Sequence, residues 1–111
     1  MEITTSESGP VPIATISGDI DGKTAPVAQT QLLALVGKNP RLVLDMSQVG
    51  FLSSAGLRIM LLLYRQASAK SGKVVLVGLS EEIKDTMSMT GFLNFFSLAT
   101  TVDEGVRLAG A

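Results

Sequence analysis

Residues 42–58 read Leu42-Val43-Leu44-Asp45-Met46-Ser47-Gln48-Val49-Gly50-Phe51-Leu52-Ser53-Ser54-Ala55-Gly56-Leu57-Arg58, and the fold class turns on how this stretch is parsed. With Arg41, its opening is a short apolar run bounded by Pro40 and ending at Asp45–Met46. Such a run, with no polar alternation, suits a strand buried on both faces of a parallel sheet. A loop follows and delivers two hydroxyls, Ser53 and Ser54, to the start of the longest helix. That helix is expected from about Ser54 to Lys70, with Leu57, Met60, Leu61, Tyr64 and Ala67 as its core stripe. Gly72 is well placed as its left-handed terminator.

Toward the C-terminus, Lys73 to Gly78 contains Val-Val-Leu-Val, a second fully buried strand. Ser80 caps a third helix whose first turn holds Glu81 and Glu82, where the helix dipole favours acids. Ile83 and Met87 point inward, and Gly91 closes the helix. A last strand is expected over 95–99. Thr101-Val102-Asp103-Glu104 is a capping box opening a final helix to about Ala109. The cluster Met87, Met89, Phe92, Leu93, Phe95 and Phe96 reads mostly as core, and any part of it left exposed would be a docking or dimer patch.

Toward the N-terminus, residues 2–7 form a modest edge strand and Gly9-Pro10 a turn. Val11 to Ser17 is a second strand, Pro12 lying near its start or at an edge. Gly18 to Lys23 is a loop. Thr24 caps a helix that carries Pro26 in its first turn and ends at Gly37. Ala28, Leu32, Leu35 and Val36 give that helix one apolar face. The order ββαβαβαβα predicts a single α/β domain over residues 1–111, with a mixed, mostly parallel sheet and amphipathic helices.

Composition narrows the function. Hydrophobic residues make up 46% of the 111 and charged residues 17%, enough apolar material for a core. Net charge is −1 with no basic cluster, which argues against nucleic acid as a partner. Cysteine and histidine are absent, so disulfides, Cys/His zinc sites and Ser-His-Asp or Cys-His catalysis are excluded. No basic and apolar leader opens the chain, and Ile59 to Tyr64 is far short of the ~20 residues of a membrane span. A soluble, cytoplasmic, non-enzymatic protein without cofactor or metal is expected.

A helix start carries unpaired N–H groups and partial positive charge, so a phosphate on Ser54 fits there without refolding anything. It would add about −1.5 to −2 charges at one surface point. By residue type alone, Ser53 and Ser54 serve equally well as a simple cap.

The stretch 42–58 resembles the signature of STAS domains in the anti-sigma factor antagonist family: strand, Asp45-x-Ser47, Val49-x-Phe51, then a Ser-rich turn before Gly56-Leu57. Gly18-Asp19-Ile20-Asp21 is similar to the family's Gly-Glu-Leu-Asp after its second strand. The resemblance covers nearly the whole chain. It implies a bacterial partner-switching module that binds a GHKL-type serine kinase doubling as an anti-sigma factor. Unphosphorylated, the antagonist captures that protein; phosphorylated by it with ATP, the antagonist lets go, and a PP2C-type phosphatase resets it. Carried over by position, the phosphoacceptor is Ser54, with Ser53 as the alternative. Gly18, Asp19, Asp21, Asp45, Ser53, Gly56 and Arg58 are the partner-binding candidates. Two departures stand out: Ser53 replaces an acid found in many relatives, and Ala55 replaces a second serine. A non-sigma output and a weak homodimer stay open.

Three other chemistries compete. Gly18 to Thr24 ends in Gly-Lys-Thr like a phosphate-binding loop, but the spacing is one residue short and Asp19 and Asp21 would repel phosphate. A serine hydrolase lacks both histidine and the Gly-x-Ser-x-Gly turn. Asp19, Asp21 and Asp45 as a metal site compete with their simpler reading as loop acids and turn formers.

Overall fold

The computed structural model describes residues 1–110. Its elements are β1 (Glu2–Ser8), β2 (Val11–Ser17), α1 (Ala25–Lys38), β3 (Arg41–Gln48), α2 (Ser54–Ala69), β4 (Lys73–Val77), α3 (Glu81–Met89), a 3-10 turn (Leu93–Phe95), β5 (Ser97–Ala99) and α4 (Val102–Gly110). The five strands form one sheet in chain order. β1 runs antiparallel to β2, and every later pairing is parallel. Pro12 pairs with Glu7 of β1 but lies ahead of the ladder that β2 shares with β3, so its missing N–H costs nothing there.

Three strand–helix–strand steps move the same way across the sheet. With the right-handed crossover that strand twist favours, their helices belong on one face. That face holds the larger core, where α1, α2 and α3 pack on Ala14, Ile16, Leu42, Leu44, Met46, Val74 and Leu76. The pleat turns the alternate residues Val11, Ile13, Val43, Val75 and Val77 the other way, where α4 covers them. Contact there is close: a Cβ on Gly105 would meet Val77 Cγ2 at 2.8 Å. β3 and β4 are therefore buried on both faces, as their unbroken apolar runs require.

The boundaries differ from expectation where tertiary contacts take over. Helix α1 runs through Gly37 and stops at Asn39, whose φ of −147° is extended. Pro40 explains this, since the residue before a proline is driven out of the helical region. The Asn39 amide then ties the corner, donating to the Pro10 carbonyl at 2.7 Å and accepting from the Arg41 N–H at 3.0 Å. β3 continues past Met46 to Gln48, prolonged by pairing with Ser17.

At the end of α2 the left-handed residue is Ser71, φ 58°, and not Gly72. The Ser71 N–H donates to Ser68 and the Gly72 N–H to Ala67, the two bonds of a Schellman closure. Glycine is needed at 72 for space, because an added Cβ would collide with the carbonyl and ring of Pro40.

The stripe of α2 is rotated from its expected position. Gly56, Leu57, Ile59, Met60, Leu63 and Ala67 are buried, while Leu61 and Tyr64 are half-exposed. Two neighbours, α1 and the sheet, share this helix and widen its apolar face. The expected strand over 95–99 is shorter, with Phe95 in the 3-10 turn and stacked on Tyr64 at 4.8 Å between ring centres. The capping box of α4 is displaced by one residue: Thr101 accepts from the Glu104 N–H, but Glu104 accepts from the N–H of Thr100.

Candidate functional site

Parallel strands deliver the loops that follow them to one end of the sheet, and in open α/β sheets ligands gather there. Here the loop after β2 and the loop after β3 are stitched together. The N–H of Gly18 donates to Gln48, that of Ile20 to Phe51, and that of Ser53 back to Ile20, all at 2.9–3.0 Å. Ile20 and Leu52 thus form an isolated parallel bridge that prolongs the sheet to the start of α2.

At that start the two serines have different jobs. Ser53 is the N-cap, and its Oγ accepts from the Gly56 N–H at 3.2 Å. Ser54, the first helical residue, is exposed, and its hydroxyl makes no hydrogen bond to another described residue. Its own N–H and that of Ala55 are among those a helix leaves without an internal partner. The arrangement is a free hydroxyl above a positively polarised helix end. Gly56 sets how closely the parts approach, since a Cβ there would meet Leu52 Cδ1 at 2.6 Å and the Ile20 carbonyl oxygen at 3.1 Å. Gly56→Ala should part the two loops. We expect a net loss of about 1–3 kcal/mol, a gain in helix propensity offsetting part of the overpacking. Thermal denaturation would measure it, and the amide resonances of Ile20 and Ser53 should shift most.

The loop between Gly18 and Thr24 is closed on itself. Asp21 Oδ1 accepts from the N–H groups of Lys23 at 2.9 Å and Thr24 at 3.1 Å. The Thr24 hydroxyl accepts from the Asp21 N–H and donates to the Asp19 carbonyl, both at 2.9 Å, so it faces back into the loop and does not cap α1. The amides that a phosphate-binding loop would aim at its ligand are here occupied by a carboxylate. Those N–H donors, Thr24 first and then Lys23, hold the Asp21 carboxyl below the usual aspartate value of 3.8. The sign follows: a carboxyl with a lowered folded-state value stabilises above its unfolded value and loses that contribution as pH falls through the folded one. Loop order should decline with acid below pH 3.8, and Asp21→Asn should remove the dependence. NMR titration of the Lys23 and Thr24 amides reads this directly.

Asp19 flanks the stitched loops; a Cβ on Gly50 would lie 3.4 Å from its Oδ1. Arg58 is exposed one turn into α2 from Ser54. Asp45 stands apart. The pleat puts it on the α4 side of the sheet with Val43, and its carboxylate accepts from the N–H and Oγ of Ser47 at 3.1 and 2.8 Å. Ser47 in turn packs under Gly78, where an added Cβ would lie 2.9 Å from its own. Asp45 therefore shapes the end of β3 and is not beside Ser54.

The STAS domain family model matches residues 2–105. A Bordetella bronchiseptica protein described as anti-sigma factor antagonist BtrV is 31% identical over 102 residues, 91% of this chain and 88% of that one. The chain is a STAS domain of the anti-sigma factor antagonist family. The anti-sigma-B factor antagonist of Bacillus subtilis is 25% identical over 83% of this chain and 84% of its own. The crystal structure of an anti-sigma factor antagonist from Mycobacterium paratuberculosis superposes with a TM-score of 0.88 at 28% identity, covering 99% of this chain and 94% of the other.

In this antagonist the surface around Ser54 includes apolar residues outside the seven partner-binding candidates. Phe51 is 52% exposed and borders a groove with Glu82, Ile83 and Thr86. On the other flank, Leu57, Leu61, Thr90 and Phe92 line a shallow apolar groove with Ser54 and Arg58. Of the cluster expected to be mostly core, Met87 and Phe96 are buried, Phe92 and Leu93 are half-buried, and Phe95 and Met89 are exposed, Met89 to 87%. A signal was present: Met89 follows buried Met87 by two positions, which on a helix turns it about 200° away. Among the described residues, no helix is long and apolar enough to cross a membrane.

Proposed function

We propose that this antagonist, as a single cytoplasmic domain over residues 1–111, binds an anti-sigma factor that is also a GHKL-type serine kinase. The kinase transfers the γ-phosphoryl group of ATP to Ser54 Oγ, releasing ADP and the hydroxyl proton. The phosphorylated form lets go, and a PP2C-type phosphatase hydrolyses the ester to restore the serine. The chain regulates and does not catalyse.

One observation carries this reading: Ser54 offers an exposed, unbonded hydroxyl at a helix start, while its neighbour Ser53 is held in the cap. The flanking Gly18, Asp19, Asp21, Ser53 and Arg58 form the docking surface, and buried Gly56, with Asp45, acts on it through the loops they shape. No folding transition is needed, because a dianion at the first helical position suits the helix dipole.

The test is phosphosite mapping after incubation with ATP and each GHKL-type kinase of the source cell. A single phosphate on Ser54, absent from Ser54→Ala, supports the reading. A phosphate on Ser53 with Ser54 bare reassigns the acceptor, and no phosphate with any kinase refutes the switch.

A further inference from the structure

Ser54 and Arg58 lie one helical turn apart on α2 and line the same groove. Residues four apart on a helix are surface neighbours, about 5–6 Å between Cβ atoms. Helical side chains also lean toward the N-terminus, so Arg58 reaches back over the turn that carries Ser54. Its guanidinium is exposed and makes no hydrogen bond or ion pair with another described residue. Lys84, by contrast, is paired with Glu81 at 3.8 Å.

We propose that Arg58 is the internal counter-ion of a phosphate on Ser54, an inference that rests on Ser54 being the acceptor. The pair has the favourable order, anion N-terminal to cation at i and i+4. A guanidinium fork also matches phosphate oxygens two at a time, which a lysine does not. Phosphorylation then does two things to the surface. It adds negative charge at the mouth of the groove, and it withdraws the free cation that the bare form presents beside Leu57 and Leu61. A partner using Arg58 as an anchor loses that anchor in the same step.

The test installs phosphoserine at position 54 by genetic encoding and follows its second ionisation, near pH 6, by phosphorus NMR. With Arg58 present, the phosphate should hold its proton about two- to threefold more weakly than in Arg58→Gln, with Arg58→Lys between them. The helix dipole is common to all three chains, so the difference isolates the guanidinium. Indistinguishable titrations would overturn the proposal. Because the phosphate is placed by synthesis, that result would condemn the pair alone. Use of Ser54 by the cell is judged separately, by the phosphosite mapping.

Discussion

Ser54→Asp should lose the partner kinase while Ser54→Ala keeps it through cycles that release the native protein. A charged group left desolvated and unpaired in an interface costs about 2–5 kcal/mol, which corresponds to roughly 30-fold to a few thousandfold in affinity. Folding does not confuse the result. Ser54 is exposed and occupies the first helical position, where an acid gains about 0.3–1 kcal/mol from the dipole. The aspartate variant should therefore melt at or above the native temperature while binding worst. Calorimetric titration against the purified kinase, beside thermal melts of each variant, would measure both quantities. Equal affinity of Ser54→Asp and the native chain would refute the electrostatic switch.

The largest structural effect is expected at Gly72. A Cβ there would strike Pro40, whose carbonyl is already bonded to the Lys73 N–H at 3.0 Å. The obstacle is backbone at the start of β3, and it cannot yield without breaking the first rung between β3 and β4. Gly72→Ala should cost about 2–4 kcal/mol and lower the melting temperature by roughly 10–20 °C. Next to it, Ser71→Gly should act in the opposite direction. Ser71 holds a positive φ that glycine adopts freely, so relief of strain outweighs the added freedom of the unfolded chain, by about 0.5 kcal/mol. Opposite signs at adjacent positions would separate close approach from helix termination as the reason for glycine at 72. Equal, small effects would restore the simpler role.

Much of this architecture was legible because it rests on local chemistry. The apolar runs in β3 and β4 read as doubly buried strands, and they are. Ser80 caps α3, Gly91 closes it in a left-handed conformation, and Gly9 turns the first hairpin. In each case the deciding contact lies within a few residues along the chain, so residue type alone carries the information. The stretch from Asp45 to Gly56 was legible in a different way, through its resemblance to a family whose model matches most of the chain.

What the amino-acid order could not decide was anything set by a distant neighbour. Gly37, Gly72 and the stripe of α2 depart from the sequence expectation because Pro40, α1 and the sheet act on them from elsewhere. The same holds at the site. By residue type Ser53 and Ser54 are interchangeable caps, and the stitched loops at Ile20, together with the depth allowed by Gly56, hold one hydroxyl inward and leave the other in solvent. Composition and periodicity determine which segments fold into which elements, since those depend on burial and backbone preference. Which group stays free at the surface depends on packing between segments far apart in the chain, and only the folded molecule contains that.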